Sequence, residues 1–210
     1  MNANELTSTR RSLHAVAELI MAGPQHRRTG TIRLRVTPGG FGTTTEPDLR
    51  VEGRELVAGD LRLPLDGVSL RDLGSATGEG AGPPENLYTD GSGASASDVL
   101  RVNPAAADLL ASSLALGDEA LRAFAPGATP VLWPEHFDLG ITLDEVNYGV
   151  SLGDGYLPEP YAYTGPWKPR TGPFWNAPFG AARPLRELDD VAGFFAEGRR
   201  LAEAAPEAGA

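Results

Sequence analysis

The sequence predicts an α+β fold, a mainly antiparallel sheet with helices at both ends and at about residues 104–124 packed on one face. Three observations carry that expectation. Short runs of alternating apolar and polar residues recur between Gly and Pro turns, which is the period of half-buried strands. Helical spacing of apolar residues occurs only near the two ends and after Asn103. Strands and helices do not alternate regularly, which argues against parallel βαβ units.

In chain order, Thr7, Ser8 or Thr9 can cap a first helix whose apolar stripe is Leu13, Val16, Ala17 and Ile20, with Gly23-Pro24 as its stop. His14 and His26 lie at its flank and beyond its end, and both read as surface histidines. Ile32, Leu34 and Val36 alternate with Arg33 and Arg35 in a strand over Thr31 to Thr37, and Pro38 to Gly42 reads as a tight turn. Strand-like runs follow at Asp48 to Val51, Glu55 to Val57 and Leu61 to Leu65. Residues 74–98 are rich in Gly, Ser and Pro, too poor in apolar residues to bury a core, and so read as an excursion from one globular domain over 1–205. Asn103-Pro104 starts a helix that should stop near Gly117, with one further helical piece at Asp118 to Phe124. Lys168 to Arg183 reads as irregular chain pinned by Phe174, Trp175 and Phe179. Leu188, Val191, Phe194, Phe195 and Leu201 mark a C-terminal helix, and 206–210 should be a disordered tail.

Composition removes several classes of function. The formal charge is −10 and the chain has no Cys, so duplex nucleic acid, anionic membranes, thiolate nucleophiles and Cys-ligated metals are excluded as leading readings. No uninterrupted apolar run suits a secretory leader or a membrane span, and the expected location is cytoplasmic. Charge is nevertheless uneven. Six Arg fall within residues 1–36 against Glu5 and Glu18, which reads as a basic face docking on an acidic remainder.

The chemistry concentrates between Val131 and Trp167, which holds Trp133, Trp167, four Tyr, His136 and six carboxylates, with no Lys or Arg. Alternation on either side of Asp144-Glu145 predicts a β-hairpin whose polar face carries His136, Asp138, Thr142, Asn147 and Ser151. Asp154 and Glu159 follow in proline-bounded turns. Candidate catalytic residues are His136, Asp138 and Glu159; candidate ligand contacts are Trp133, Glu135, Asn147, Ser151, Asp154, Tyr161, Tyr163 and Trp167. Two chemistries compete there. His136 and Asp138, at i and i+2, could begin a divalent metal site completed by Glu135, Asp154 or Glu159. Alternatively a carboxylate pair such as Asp138 with Glu159 could serve as acid and base. A Ser-His-Asp triad is disfavoured because no G-x-S-x-G elbow exists. In the competing reading the aromatics close an edge of the core and the carboxylates cap turns.

Trp133-Pro134-Glu135-His136-Phe137-Asp138, Ser151-Leu152-Gly153-Asp154, Pro158-Glu159-Pro160-Tyr161-Ala162-Tyr163 and Gly165-Pro166-Trp167 together resemble a largely actinobacterial family, the domain of unknown function numbered 5996. The resemblance covers about residues 131–175 and implies no activity. Glu135 stands where the family pattern has a second His, which weighs against a two-histidine metal site. The expected function is binding of a small polar molecule at 131–167, with metal-assisted or acid/base catalysis left open. The competing expectation is a non-catalytic interaction or self-associating module that uses the Trp- and Tyr-rich surface.

Overall fold

The computed structural model describes residues 2–204, and the tail expected at 206–210 lies outside them. Strands β1 (Leu34–Thr37), β2 (Gly40–Thr43), β3 (Leu49–Glu52), β4 (Glu55–Ala58) and β5 (Leu61–Pro64) form one antiparallel meander. A second meander comprises β6 (Val131–Trp133), β7 (Asp138–Leu143), β8 (Val146–Ser151), β9 (Tyr161–Pro166) and β10 (Ala181–Pro184). The two join back to back where β1 pairs antiparallel with β6, giving the order β10-β9-β8-β7-β6-β1-β2-β3-β4-β5. The fold is therefore α+β with a mainly antiparallel ten-stranded sheet.

Register assigns the two faces. Leu34, Leu132, Leu139, Val150 and Ala162 line up across five strands, and all are buried. Burying each such Leu or Val contributes about 1.5–3 kcal/mol relative to exposure. Helices α4 (Pro104–Phe124) and α5 (Val191–Glu203) sit on this face. Gly117 and Gly198 are the points of closest approach. A Cβ on Gly117 would meet Val150 Cγ2 at 2.9 Å, and one on Gly198 would meet Thr164 Oγ1 at 2.7 Å. This is why α4 does not stop at Gly117 as its sequence suggests: the glycine admits β8 against an unbroken helix. The opposite face carries Asp138, Gly140 and Thr142 of β7 against Ser151, Gly149 and Asn147 of β8.

The N-terminal helix is longer than its Gly23-Pro24 signal implies. It runs as α1 (Ala3–Ala15), continues through a π-helical turn at Val16–Ala22, and ends as α2 (Gly23–Thr29) at a left-handed Gly30. The wider π turn explains how it survives the proline. Gly23 N–H bonds Glu18 O, an i to i−5 step, and the next donor would have been residue 24. Proline has none, so the Leu19 carbonyl is orphaned and accepts instead from Gly82 N–H at 3.0 Å. That bond docks residues 78–98 along the helix. This segment follows α3 (Leu70–Thr77), and its base is closed where Ser69 bridges Val99. What reads as an excursion is a strap, held by Arg28 on Glu79 (2.6 and 2.9 Å) and by Glu18 on Ser92.

Four strands, β2, β6, β9 and β10, lie outside the strand-like runs expected from the sequence. β2 is Gly40-Phe41-Gly42-Thr43, where the glycines are required because β3 passes close: a Cβ on Gly42 would meet Leu49 O at 2.9 Å. β10 lies in the Pro- and Gly-dense stretch and is positioned by Asn176, which bonds both the N–H and the C=O of Ala182 at 3.0 and 3.1 Å.

Candidate functional site

A cleft of about 1020 Å³ opens on the polar face of β7–β9 and extends to α1 and the strap. Its floor is set by cross-strand register. Asp138 faces Ser151, which faces Tyr161, and the next rung is Gly140, Gly149 and Tyr163. The two glycines leave the sheet bare beneath the Tyr163 ring. A Cβ on Gly149 would lie 2.5 Å from Tyr163 Oη, and one on Gly140 would lie 3.0 Å from it. Strand glycines of this kind mark a close approach. Here they let Tyr163 reach across two strands and donate its hydroxyl to Asp138 Oδ2.

Desolvation raises the pKa of the Asp138 carboxyl, opposed first by the Tyr163 hydrogen bond and then by the charge of His136. Burial and the adjacent Asp138 push Tyr163 well above the usual phenol value. A parallel pair lies beside it. Tyr161 donates to Asp154 Oδ2 at 2.6 Å, while Asp154 Oδ1 accepts from Tyr156 N–H at 2.8 Å and Leu157 N–H at 3.0 Å. Ser151 Oγ accepts from Gly153 N–H at 3.1 Å, which fixes the turn into that loop.

Of the residues singled out by sequence, Glu135, His136, Asp138, Asn147, Ser151, Asp154, Tyr161, Tyr163 and Trp167 line this one cleft. His136 arrives there by a turn rather than by strand alternation. Phe137 takes φ 53°, β7 begins only at Asp138, and the His136 side chain stays 64% exposed with Nε2 3.6 Å from Glu135 Oε1. Asn147 Oδ1 accepts from Thr142 Oγ1 at 2.8 Å and from Trp167 Nε1 at 3.4 Å, which stations the indole at the far end.

Two candidates are not brought to the cleft. Glu159 turns outward, where Arg186 holds it bidentately at 2.8 and 3.1 Å, so it is not an acid/base partner of Asp138. Trp133 lies under the Arg33 guanidinium, 5.9 Å from the ring centroid, and does not line the cleft. The arrangement expected for a divalent metal is not formed either. Among the described residues no three His, Asp or Glu converge on a point. The carboxylates are engaged separately, Asp138 by Tyr163, Asp154 by Tyr161 and two N–H groups, and Glu159 by Arg186.

The whole α1 wall was missed in the sequence. Thr7, Arg10, Arg11 and His14 recur at i, i+3, i+4 and i+7 and face the cleft together. That polar stripe was readable alongside the apolar one. Arg10 donates from Nη1 to Pro158 O at 3.2 Å, and burial lowers its pKa against the opposing charge of Asp154. His14, expected at the surface, is half-buried and stacks on Phe137 with ring centroids 5.4 Å apart. Burial lowers its pKa, and Nε2 lies 2.7 Å from Pro134 O; a carbonyl can only accept, so Nε2 carries the proton. The strap adds Asp90, Gly91 and Ser92, and the loop before β10 adds Phe179. No spacing rule places the strap beside β7–β9, because the bonds that dock it, Leu19–Gly82, Arg28–Glu79 and Glu18–Ser92 among them, join residues far apart in the chain.

Comparison with protein-family models, curated proteins and solved structures finds no match to this chain. Among the described residues no helix is long and apolar enough to cross a membrane.

Proposed function

We propose that this chain binds a small polar molecule in the cleft between α1, the strap and β7–β9. The observation that carries this reading is the concavity itself: nine chemically capable residues from separate strands and turns border one space of about 1020 Å³, at the upper limit of the size range of ligand sites. A flat apolar patch would have favoured the interaction-module alternative. A second reading, acid/base catalysis on the bound molecule, is supported by the Tyr163–Asp138 pair, because burial raises the pKa of this carboxyl and a carboxyl that holds its proton more tightly than an exposed one can serve as a proton donor. The proposal includes a cytoplasmic location, no nucleic-acid partner, and membership of the domain of unknown function numbered 5996 on the 131–175 motif.

The test is a thermal-shift screen of small polar metabolites. Wild type and the cleft variant Ser151→Ala are compared, with Glu159→Gln as a control outside the cleft. A ligand present at 100 times its Kd stabilises by about 2.7 kcal/mol, or about 5–10 °C for a chain of this size. The shift should persist in Glu159→Gln and shrink in Ser151→Ala. A screen with no stabilising compound, or equal shifts in all three proteins, would sink the proposal.

A further inference from the structure

Resting on the reading of this cleft as a ligand site, we infer that its occupant is an elongated organic anion, with a carboxylate or phosphate held by Arg11 and Arg10 and a planar ring laid on Trp167.

The α1 end of the cleft carries one guanidinium, that of Arg11, with no ion-pair partner among the described residues. Arg11 is exposed, borders the cleft, and its side chain makes no hydrogen bond or ion pair with another described residue. Its charge acts unfavourably on neighbouring Arg10. The carboxylate that offsets Arg10 is Asp154, already engaged by the Tyr161 hydroxyl and two backbone N–H groups. Asp90 on the strap accepts from the Thr89 hydroxyl and pairs with neither guanidinium. A guanidinium fork presents parallel donors that match a carboxylate or phosphate, and here one fork is idle at the mouth of a concave site.

The other end is aromatic. Trp167 is 64% exposed and Phe179 39% exposed, and both border the cleft. Phe179 is packed by Tyr156 and Tyr161, whereas the Trp167 indole has no aromatic partner among the described residues. Its position is nevertheless set, by backbone N–H to Glu145 O at 2.9 Å and by the Nε1 contact with Asn147. An indole held in place yet uncovered is a stacking platform. Between the two ends lies the run of β8 from Ser151 to Asn147, about 13 Å at roughly 3.3 Å per residue. A compact ion cannot touch both ends; an extended one can. The middle of such a molecule would lie over the Tyr163–Asp138 pair.

Binding is measured by calorimetry and Trp fluorescence with four probes. Adenosine 5′-monophosphate and 3-(indol-3-yl)propionate carry ring and anion; adenosine and 3-(indol-3-yl)propionamide carry the ring alone. At least one charged probe should bind tenfold or more tighter than its neutral partner, and the one preferred tells phosphate from carboxylate. Arg11→Gln, at an exposed site whose melting temperature should not move, should remove that tenfold for the charged probe and leave the neutral one unchanged. Trp167→Ala should weaken both. If charged and neutral probes bind alike in wild type and in Arg11→Gln, the anion inference falls while the ligand site stands. If none of the four binds while the metabolite screen yields a ligand indifferent to Arg11→Gln, it falls as well.

Discussion

Replacing Tyr163 by Phe removes one oxygen and keeps the ring, so it isolates the bond to Asp138. A hydrogen bond to a charged group is worth about 1.5–3 kcal/mol and one to a neutral group about 0.5–1.5, and the lost energy therefore depends on whether Asp138 is ionised. The sign follows from desolvation. The folded-state pKa of Asp138 is raised, so the protonated carboxyl's contribution to stability is fully present below the unfolded value of about 3.9 and is lost as pH rises through the folded pKa. The Tyr163 bond opposes that loss by favouring the ionised form. Tyr163→Phe should accordingly cost about 1 kcal/mol at pH 4 and about 2 kcal/mol at pH 9, or about 2–4 °C and 4–8 °C in melting temperature. Thermal or urea unfolding across this range reads it. A loss that is the same at both ends, or smaller at pH 9, would refute the assignment of Asp138 as a desolvated carboxyl held by Tyr163.

Other consequences concern the glycines and the strap. Gly149→Ala places a methyl 2.5 Å from Tyr163 Oη and against Leu139 O, and overpacking of this kind costs about 1–3 kcal/mol; a denaturant midpoint equal to wild type would contradict the stated path of the Tyr163 ring. Gly117→Ala should gain about 1 kcal/mol in helix propensity yet lose more through Val150, so it is expected to destabilise, and to become neutral or stabilising in combination with Val150→Ala. Glu18→Gln weakens the bonds that hold Ser92, so limited proteolysis should cut 78–98 faster while far-ultraviolet circular dichroism stays unchanged; an unaltered cleavage rate would show the strap is held otherwise. Glu159→Gln touches one surface ion pair and should change stability by less than about 1 kcal/mol.

Much of the fold was legible where local rules and tertiary packing agree. The hairpin around Asp144-Glu145 is an example. Both residues take positive φ, 52° and 62°, and the flanking alternation keeps Leu139 and Val150 on the core face. Asn103-Pro104 likewise starts α4, with the Asn side chain accepting from Ala106 N–H at 3.1 Å. Local rules failed where glycine or proline served a distant neighbour. Gly117 admits Val150, Gly42 admits β3, and Pro24 sits inside a helix because the π turn and Gly82 absorb its missing bond.

The candidate site divides along the same line. The stretch from Val131 to Trp167 by itself determined that Asp138, Thr142, Asn147 and Ser151 share a strand face, because side-chain direction alternates with a period of two. Only the tertiary structure decided that Glu159 turns to Arg186, that Trp133 lies under Arg33, and that Arg10, Arg11 and His14 close the other side of the cleft. Those pairings depend on where a helix, a strap and two meanders meet in space. That placement is set by packing between elements far apart in the chain, which no spacing within one element encodes.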